Sequence, residues 1–398
     1  MIRTASFHRA TNNMAAIIIL VDSEAGHILP TSKIALELKR RNHNVYYAGF
    51  AGGESIVRRQ GYDFFPVLEG KLDERGTAHF GPLVRGEALD DLFSKLNPDV
   101  VLLSSLFTLE GLAIKYRYQI PAVLFRTDFS PISRENRSKI VVDRLNEFKD
   151  GREEFLEVLS RSGVRVDSIE DVSNLAGKIP ELVFLPKGFE SPHDDNSPYL
   201  YYLGPSVDIC RQEEEFNWDQ VDSRPVVYAS FGSQSHLCPE LITQWHQSLI
   251  RAFSTMPEYN LILNVGRSGL SGDVMPVPEN IFIRSYVPQM DVLRRAAMMI
   301  NHAGIGSVKE CIVLGVPMIL SPLMRDQFMC AQRVAEHGLG NVASLSEMTE
   351  QQIVDLIRST IDDYDAKTRI QAMRDIFNRA ENLELGISVI ESSIENGY

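Results

Sequence analysis

Residues 286–333 read YVPQMDVLRRAAMMINHAGIGSVKECIVLGVPMILSPLMRDQFMCAQR, and this stretch decides the fold. The apolar run at 297–301 leads into His302-Ala303-Gly304-Ile305-Gly306-Ser307, where a helix is predicted to start. A second apolar run, 316–320, leads through a short polar turn to Asp326-Gln327 and another predicted helix. Short uninterrupted Val/Ile/Leu/Met runs alternating with helical segments are the pattern of a parallel sheet covered by helices on both faces. Glycines let a backbone approach a ligand closely, and a helix N-terminus favours an anion. The segment therefore reads as a diphosphate site at the carboxyl ends of parallel strands.

The same grammar runs outward in both directions. Upstream strands are predicted at 15–21, 44–48, 99–104, 121–125 and 181–185, with a helix at 30–41 whose Ile34, Ala35 and Leu38 share a face. The pattern restarts after about residue 208, with strands at 225–231, 260–265, 280–285, 297–301 and 316–320. Two blocks of alternating strand and helix predict an α/β protein of two doubly wound, Rossmann-like domains, at 14–207 and 224–380, facing a central cleft. The polar, acidic stretch DICRQEEEFNWDQVDS at 208–223 is the joint. Residues 126–178 are charge-rich and helical in pattern, an excursion from the first domain. A last helix at about 382–396, in 381–398, is expected to pack back toward the first domain, although its apolar spacing lies nearer two than 3.6.

At 398 residues the chain exceeds one ordinary core, and 44% hydrophobic with 23% charged residues is ordinary for a soluble protein. A net charge of −13 argues against nucleic acid, which would require a basic face. It does not forbid a phosphate ligand, because backbone amides act locally. The four cysteines, Cys210, Cys238, Cys311 and Cys330, form no C-x-x-C pair, so neither a disulfide framework nor a zinc site is expected, and a reducing, cytoplasmic setting fits. No apolar run reaches the roughly 18 residues of a membrane span. Residues 1–13 lack the apolar middle of a secretory signal and read as a tail before a start near Met14.

Each motif also has a plainer reading. Lys309 stands where the third glycine of a dinucleotide fingerprint belongs, which weakens a dehydrogenase assignment. Ser307-x-x-Glu310 taken alone reads first as a capping box. His302 alone reads as a packed side chain, and Asp326-Gln327 alone as a solvated helix start. Their weight comes from order, since each follows a separate predicted strand.

In that order they resemble the nucleotide-sugar-dependent glycosyltransferases of the GT-B fold, specifically the UDP-glycosyltransferase family that includes plant natural-product and bacterial macrolide enzymes. Tyr286-Val287-Pro288-Gln289 resembles the family's W-x-P-Q, His302-Ala303-Gly304 its H-x-G, Ser307-x-x-Glu310 its S/T-x-x-E, Gly315-Val316-Pro317 its G-V-P, and Asp326-Gln327 its D-Q. Phe231-Gly232-Ser233 matches the turn that opens the second domain. The resemblance implies that Tyr286, Val287 and Gln289 meet the base and ribose. By the same resemblance His302, Gly304, Gly306, Ser307 and the 304–307 amides hold the diphosphate, with Ser233 near it. Glu310 takes the ribose hydroxyls, and Asp326 with Gln327 the hydroxyls of a hexose such as glucose. It implies a UDP-sugar or dTDP-sugar donor, a small-molecule acceptor, no metal or other cofactor, and a monomer or weak dimer.

Glu24-Ala25-Gly26-His27-Ile28-Leu29-Pro30 follows the first predicted strand, with Pro30 placed to begin a helix. It resembles the family's G-H-x-x-P, whose His is the general base of an inverting transfer. An imidazole titrates in the range such a base needs. The family's Asp partner of that His has no counterpart here. Ser105 occupies its slot in Leu103-Ser104-Ser105-Leu106, and Glu110, Asp128 and Asp22 are the alternatives. Two rival readings are another GT-B enzyme such as a sugar-nucleotide epimerase, and a non-catalytic glycosyltransferase-like auxiliary protein. Loops around 70–90 and 126–160 are expected to shape the acceptor site.

Overall fold

A computed structural model describes residues 14–68, 89–129, 134–147, 152–190, 197–266, 269–270 and 277–397. The tail at 1–13, most of the 70–90 loop and part of the 126–160 excursion lie outside the described residues.

The strands are β1 (Ala16–Val21), β2 (Asn44–Phe50), β3 (Phe64–Leu68), β4 (Val100–Ser104), β5 (Ala122–Arg126), β6 (Glu181–Val183) and β7 (Leu200–Tyr202) in the first domain. In the second they are β8 (Val226–Ser230), β9 (Asn260–Asn264), β10 (Ile281–Arg284), β11 (Ala296–Asn301), β12 (Met318–Leu320) and β13 (Gly340–Val342). They form two sheets, ordered β3-β2-β1-β4-β5-β6-β7 and β10-β9-β8-β11-β12-β13. Every pairing is parallel; Ile17 of β1, for example, aligns with Val45 of β2 on one side and Val100 of β4 on the other. In each sheet the order reverses beside the first strand of its domain, and the crevice outside the strands' carboxyl ends at that point is where ligands bind in doubly wound folds.

Ile17, Ile18 and Ile19 of β1 have no exposed surface, and neither do Met298, Met299 and Ile300 of β11. Such strands are covered on both faces, which is why they read as unbroken apolar runs. Three strands lacked that signal: β3, β7 and β13 are all edge strands. β3 carries Pro66, which an edge tolerates because one side of it needs no ladder donor.

The joint holds only a short 3₁₀ turn, Trp218–Gln220. Leu185 and Phe189, just after β6, share a core with Ile370, Met373 and Phe377 of the helix Tyr364–Ala380, so the two domains are packed together at their base. Buried Lys309 adds a strut, donating to the Phe184 carbonyl at 2.9 Å. The last helix, Leu383–Asn396, returns to the first domain, where Ile387 and Ile390 join the core containing Ile34 and Leu38. Arg41 pairs with both Glu384 and Glu391 of that helix. Gly386 allows the approach, because a Cβ there would overlap Leu203. The segment is helical despite its apolar spacing, with Gly386, Ile387, Val389, Ile390 and Ser393 buried.

Candidate active site

β1 delivers the chain to Asp22, which has no exposed surface. Its Oδ1 accepts the Glu24 amide at 2.8 Å, turning the chain into the short helix Ala25–Ile28. The Glu24 carbonyl then accepts the His27 and Ile28 amides at 2.9 and 3.1 Å. Pro30 sits in the first turn of the next helical segment, where its missing N–H costs nothing. This double turn brings His27 back over the strand end, and its Nδ1 bonds to Asp22 Oδ2.

Burial opposes the imidazolium, but the Asp22 carboxylate, with smaller contributions from Asp128 and Glu24, outweighs it and raises the His27 pKa to about 9. With Nδ1 committed to Asp22, Nε2 is the ring nitrogen that this pair leaves available.

The expectation that Ser105 partners His27 is therefore corrected. Asp22 reaches the imidazole because it lies only five positions away, across the turn in which its own Oδ1 accepts the Glu24 amide. Ser105 instead opens the 3₁₀ turn Ser105–Phe107 after β4, and its carbonyl accepts Thr108 Oγ1 at 2.6 Å. It lines a cavity of about 460 Å³ together with Thr108, Arg126, Asp128, Ser173 and Glu181. Glu110 is buried and pairs with Arg144 at 3.2 Å.

On the facing domain, β8 ends at Phe231-Gly232-Ser233. Gly232 has φ +78°, and a Cβ there would overlap the His302 ring; a Cβ on Gly304 would meet the same ring. His302 is thus held edgewise between two glycines. Burial lowers its pKa to about 4 against a weaker contribution from the Ser230 backbone, so it is neutral at pH 7. Among the described residues its Nδ1 has no hydrogen-bond partner. Ala303 takes φ +61°, held by its amide bonding to Asn301 Oδ1 at 2.7 Å.

The helix Ile305–Leu314 starts one turn earlier than a Ser307 cap would require. Its N-cap is Gly304, without a side-chain cap. The capping-box reading of Ser307 and Glu310 is excluded by that register, since Ser307 lies inside the first turn. The amides of 305–307 have no carbonyl four residues back within the helix, which is the arrangement that can receive an anion. A Cβ on Gly306 would meet nothing within 4 Å, so the space above this turn is open.

Behind it lies a buried polar network. Gln289 Nε2 donates to Ser307 Oγ at 3.2 Å and to Glu310 Oε2 at 2.6 Å. Tyr228 donates its hydroxyl to Gln289 Oε1 at 3.2 Å. Arg211, from the joint, bonds Glu310 Oε1. Val287 is buried, while Tyr286 is exposed and lies under the Arg59 guanidinium of the other domain, 5.4 Å from the ring centre. Asp326 Oδ2 accepts the Phe129 amide of the first domain at 2.9 Å; burial and then Asp128 raise its pKa, against the Phe129 amide and His27. Gln327 Oε1 accepts the Leu323 and Met324 amides at 2.9 and 3.1 Å, leaving its NH₂ to donate.

The two halves meet. Ser233 Oγ donates to Glu24 Oε2 at 2.5 Å, which ties the His302 turn to the turn that carries His27. Asp22, Glu24, Asp128, Arg59 and Arg211 join the residues singled out from the sequence. Asp22 and Asp128 were already alternatives for the partner of His27, whereas Glu24, Arg59 and Arg211 had no assigned role in the sequence. Among the described residues no group of three or more His, Cys, Asp or Glu side chains is arranged to hold a metal, and no helix is long and apolar enough to cross a membrane.

Residues 212–381 match the family described as UDP-glucoronosyl and UDP-glucosyl transferase. The NDP-glycosyltransferase YjiC of Bacillus subtilis (strain 168) is 25% identical, over 92% of this chain and 94% of its own. Demethyllactenocin mycarosyltransferase of Streptomyces fradiae is 25% identical, over 95% and 86%. Among solved structures, spinosyn forosaminyltransferase SpnP superposes with a TM-score of 0.75 at 18% identity, covering 96% of this chain and all of its own. The kitacinnamycin glycotransferase gives 0.74 at 21%, covering 95% and 98%. With the facing domains, the ordered motifs and the helix that opens at Gly304, residues 212–381 carry the UDP-glucoronosyl and UDP-glucosyl transferase domain, and the chain is similar along nearly its whole length to GT-B-fold, sugar-nucleotide-dependent glycosyltransferases.

Proposed function

We propose that the protein moves a hexose, glucose first among the candidates, from a nucleoside-diphosphate sugar to a hydroxyl of a small-molecule natural-product acceptor, with inversion at the anomeric carbon. His27 Nε2 takes the acceptor proton, and the acceptor oxygen attacks the anomeric carbon. The bond from that carbon to the β-phosphate oxygen breaks, and the nucleoside diphosphate leaves. Asp22 stabilises the imidazolium that forms. The 305–307 amides and neutral His302 receive the charge that develops on the diphosphate, a task that oriented donors perform without a metal. Asp326 and Gln327 hold sugar hydroxyls, Glu310 and Gln289 the ribose, and Tyr286 and Val287 the base.

The observation that carries this reading is the His27–Asp22 pair set across the Glu24–Ser233 bridge from an open helix N-terminus. The non-catalytic alternative drew its force from a base lacking a carboxylate partner, and Asp22 removes that motive.

The test is turnover. The protein is incubated with UDP-glucose and dTDP-glucose and a panel of phenolic and macrolide acceptors, and release of nucleoside diphosphate is followed with a product heavier by one hexose. His27→Ala should lower the rate by about 10²–10⁴-fold with donor affinity retained. Undiminished turnover in that variant refutes the base assignment, and nucleotide binding without any turnover refutes the enzyme.

A further inference from the structure

Glu24 is fixed by its backbone while its side chain reaches away. Its amide donates to Asp22 Oδ1 at 2.8 Å, and its carbonyl accepts the His27 and Ile28 amides at 2.9 and 3.1 Å. The carboxylate takes no part in that turn: Glu24 is the N-cap of the helix Ala25–Ile28 but makes no side-chain cap bond. It crosses the cleft instead, where its Oε2 accepts Ser233 Oγ at 2.5 Å. The spacing of the two turns does not depend on this pair alone. Arg59 Nη1 of the first domain donates to Tyr286 Oη of the second at 3.3 Å, and Gln60 Nε2 donates to the Gln212 carbonyl in the joint at 3.1 Å.

Ser233 follows Gly232, whose Cα lies against the His302 ring, so a carboxylate on Ser233 stands at the edge of the diphosphate site. A hydroxyl has one proton to donate and a carboxylate has none, so Ser233 is the donor and its single proton goes to Glu24. A diphosphate oxygen is an acceptor too. It takes that proton only as Glu24 gives it up, and the two like charges oppose each other at short range. The opposition is greatest after transfer. The β-phosphate oxygen keeps the electron pair of the broken bond, so the departing nucleoside diphosphate carries one more negative charge than the donor did.

We propose that Glu24 is a product-release residue: its carboxylate competes with the diphosphate for the Ser233 hydroxyl and reclaims it once the sugar has moved, which favours departure of the nucleoside diphosphate. The proposal rests on the donor-site reading above and adds to it the group that limits how tightly the site holds its product. Because the Glu24 backbone stays in the His27 turn, the side chain gives way and returns without moving the base.

The probes are UDP, UDP-glucose without acceptor, and uridine, titrated calorimetrically into the full chain. Glu24→Gln keeps the shape and loses the charge, and Glu24→Ala removes the contact. Both should bind UDP about 5-fold more tightly than the wild type, the scale of one like-charge pair at contact in a solvent-open cleft. UDP-glucose should gain less, and uridine, which has no diphosphate, should change by less than about 2-fold. A merely structural role does not give this pattern, because damage to the turn weakens ligands rather than tightening one class of them. Unchanged or weaker binding of UDP by either variant overturns the proposal, as does a gain for UDP-glucose or uridine equal to that for UDP. His302→Ala separates the two failures. If it weakens UDP while the Glu24 variants gain nothing, this proposal alone falls. If it leaves UDP affinity unchanged, the donor-site reading falls and takes the proposal with it.

Discussion

Replacing Asp22 by Asn tests the catalytic centre most directly, because Asp22 carries the pKa of His27. The displacement from 6.5 to about 9 corresponds to roughly 3 kcal/mol of preference for the imidazolium in the folded protein. A base must be neutral before it can take a proton, so in the proposed mechanism the wild type would work from the small neutral fraction of His27 near neutrality. Its kcat/KM for acceptor, at saturating donor, should climb through about pH 9, with a gain of about 15-fold between pH 7.5 and 9. Asp22→Asn removes the carboxylate but keeps the shape, leaving burial alone to act on His27. The limb should move below about pH 6.5, so that the profile is flat above pH 7. The plateau should fall by about 10²–10⁴-fold, because the imidazolium formed during transfer loses its counter-charge. The assay is nucleotide release followed from pH 6 to 10, alongside donor affinity, which should change little. A limb that stays near 9 in the variant refutes the pairing of Asp22 with the catalytic imidazole.

Gly232→Ala places a Cβ into the His302 ring at φ +78°, so it should lower both the melting temperature and nucleoside diphosphate affinity, the latter by about 10-fold or more as read by calorimetry. Gly306→Ala meets only open space in the free protein, so its melting temperature should hold while donor affinity drops; retained affinity argues against a ligand above that turn. In urea unfolding, the stability difference between wild type and His27→Gln should be greatest below pH 6.5 and shrink as pH rises through about 9. The sign follows because the folded state holds its proton more tightly than the unfolded chain does, and that advantage ends once both are neutral. A difference that grows with pH contradicts it. Transfer should be unchanged after EDTA treatment if amides and His302 carry the diphosphate charge, and loss of rate restored by a divalent cation argues otherwise.

Central strands were legible from sequence because burial on both faces demands continuous apolar runs, as in Ile17–Ile19 and Met298–Ile300. Edge strands β3, β7 and β13 carry little such demand, and only pairing reveals them. The helix after His302 was legible through its glycines, but its register was not. S-x-x-E suits a cap and a second-turn carboxylate equally, and only the start at Ile305 separates them.

What the chain alone determined is local: which runs cross a sheet, where glycines let a helix N-terminus stay bare, and which polar residues follow each strand. These depend on neighbours within a few positions, so a linear pattern records them. The partner of His27, the hold of Arg211 on Glu310 and the Glu24–Ser233 bridge were decided by tertiary structure. The Glu24–Ser233 bridge joins residues 209 positions apart and the Arg211–Glu310 pair residues 99 apart. Asp22 is only five positions from His27, yet its reach depends on the turn in which Asp22 Oδ1 accepts the Glu24 amide. Hydrogen bonds of this kind depend on where atoms lie in space, and a linear pattern does not carry that information.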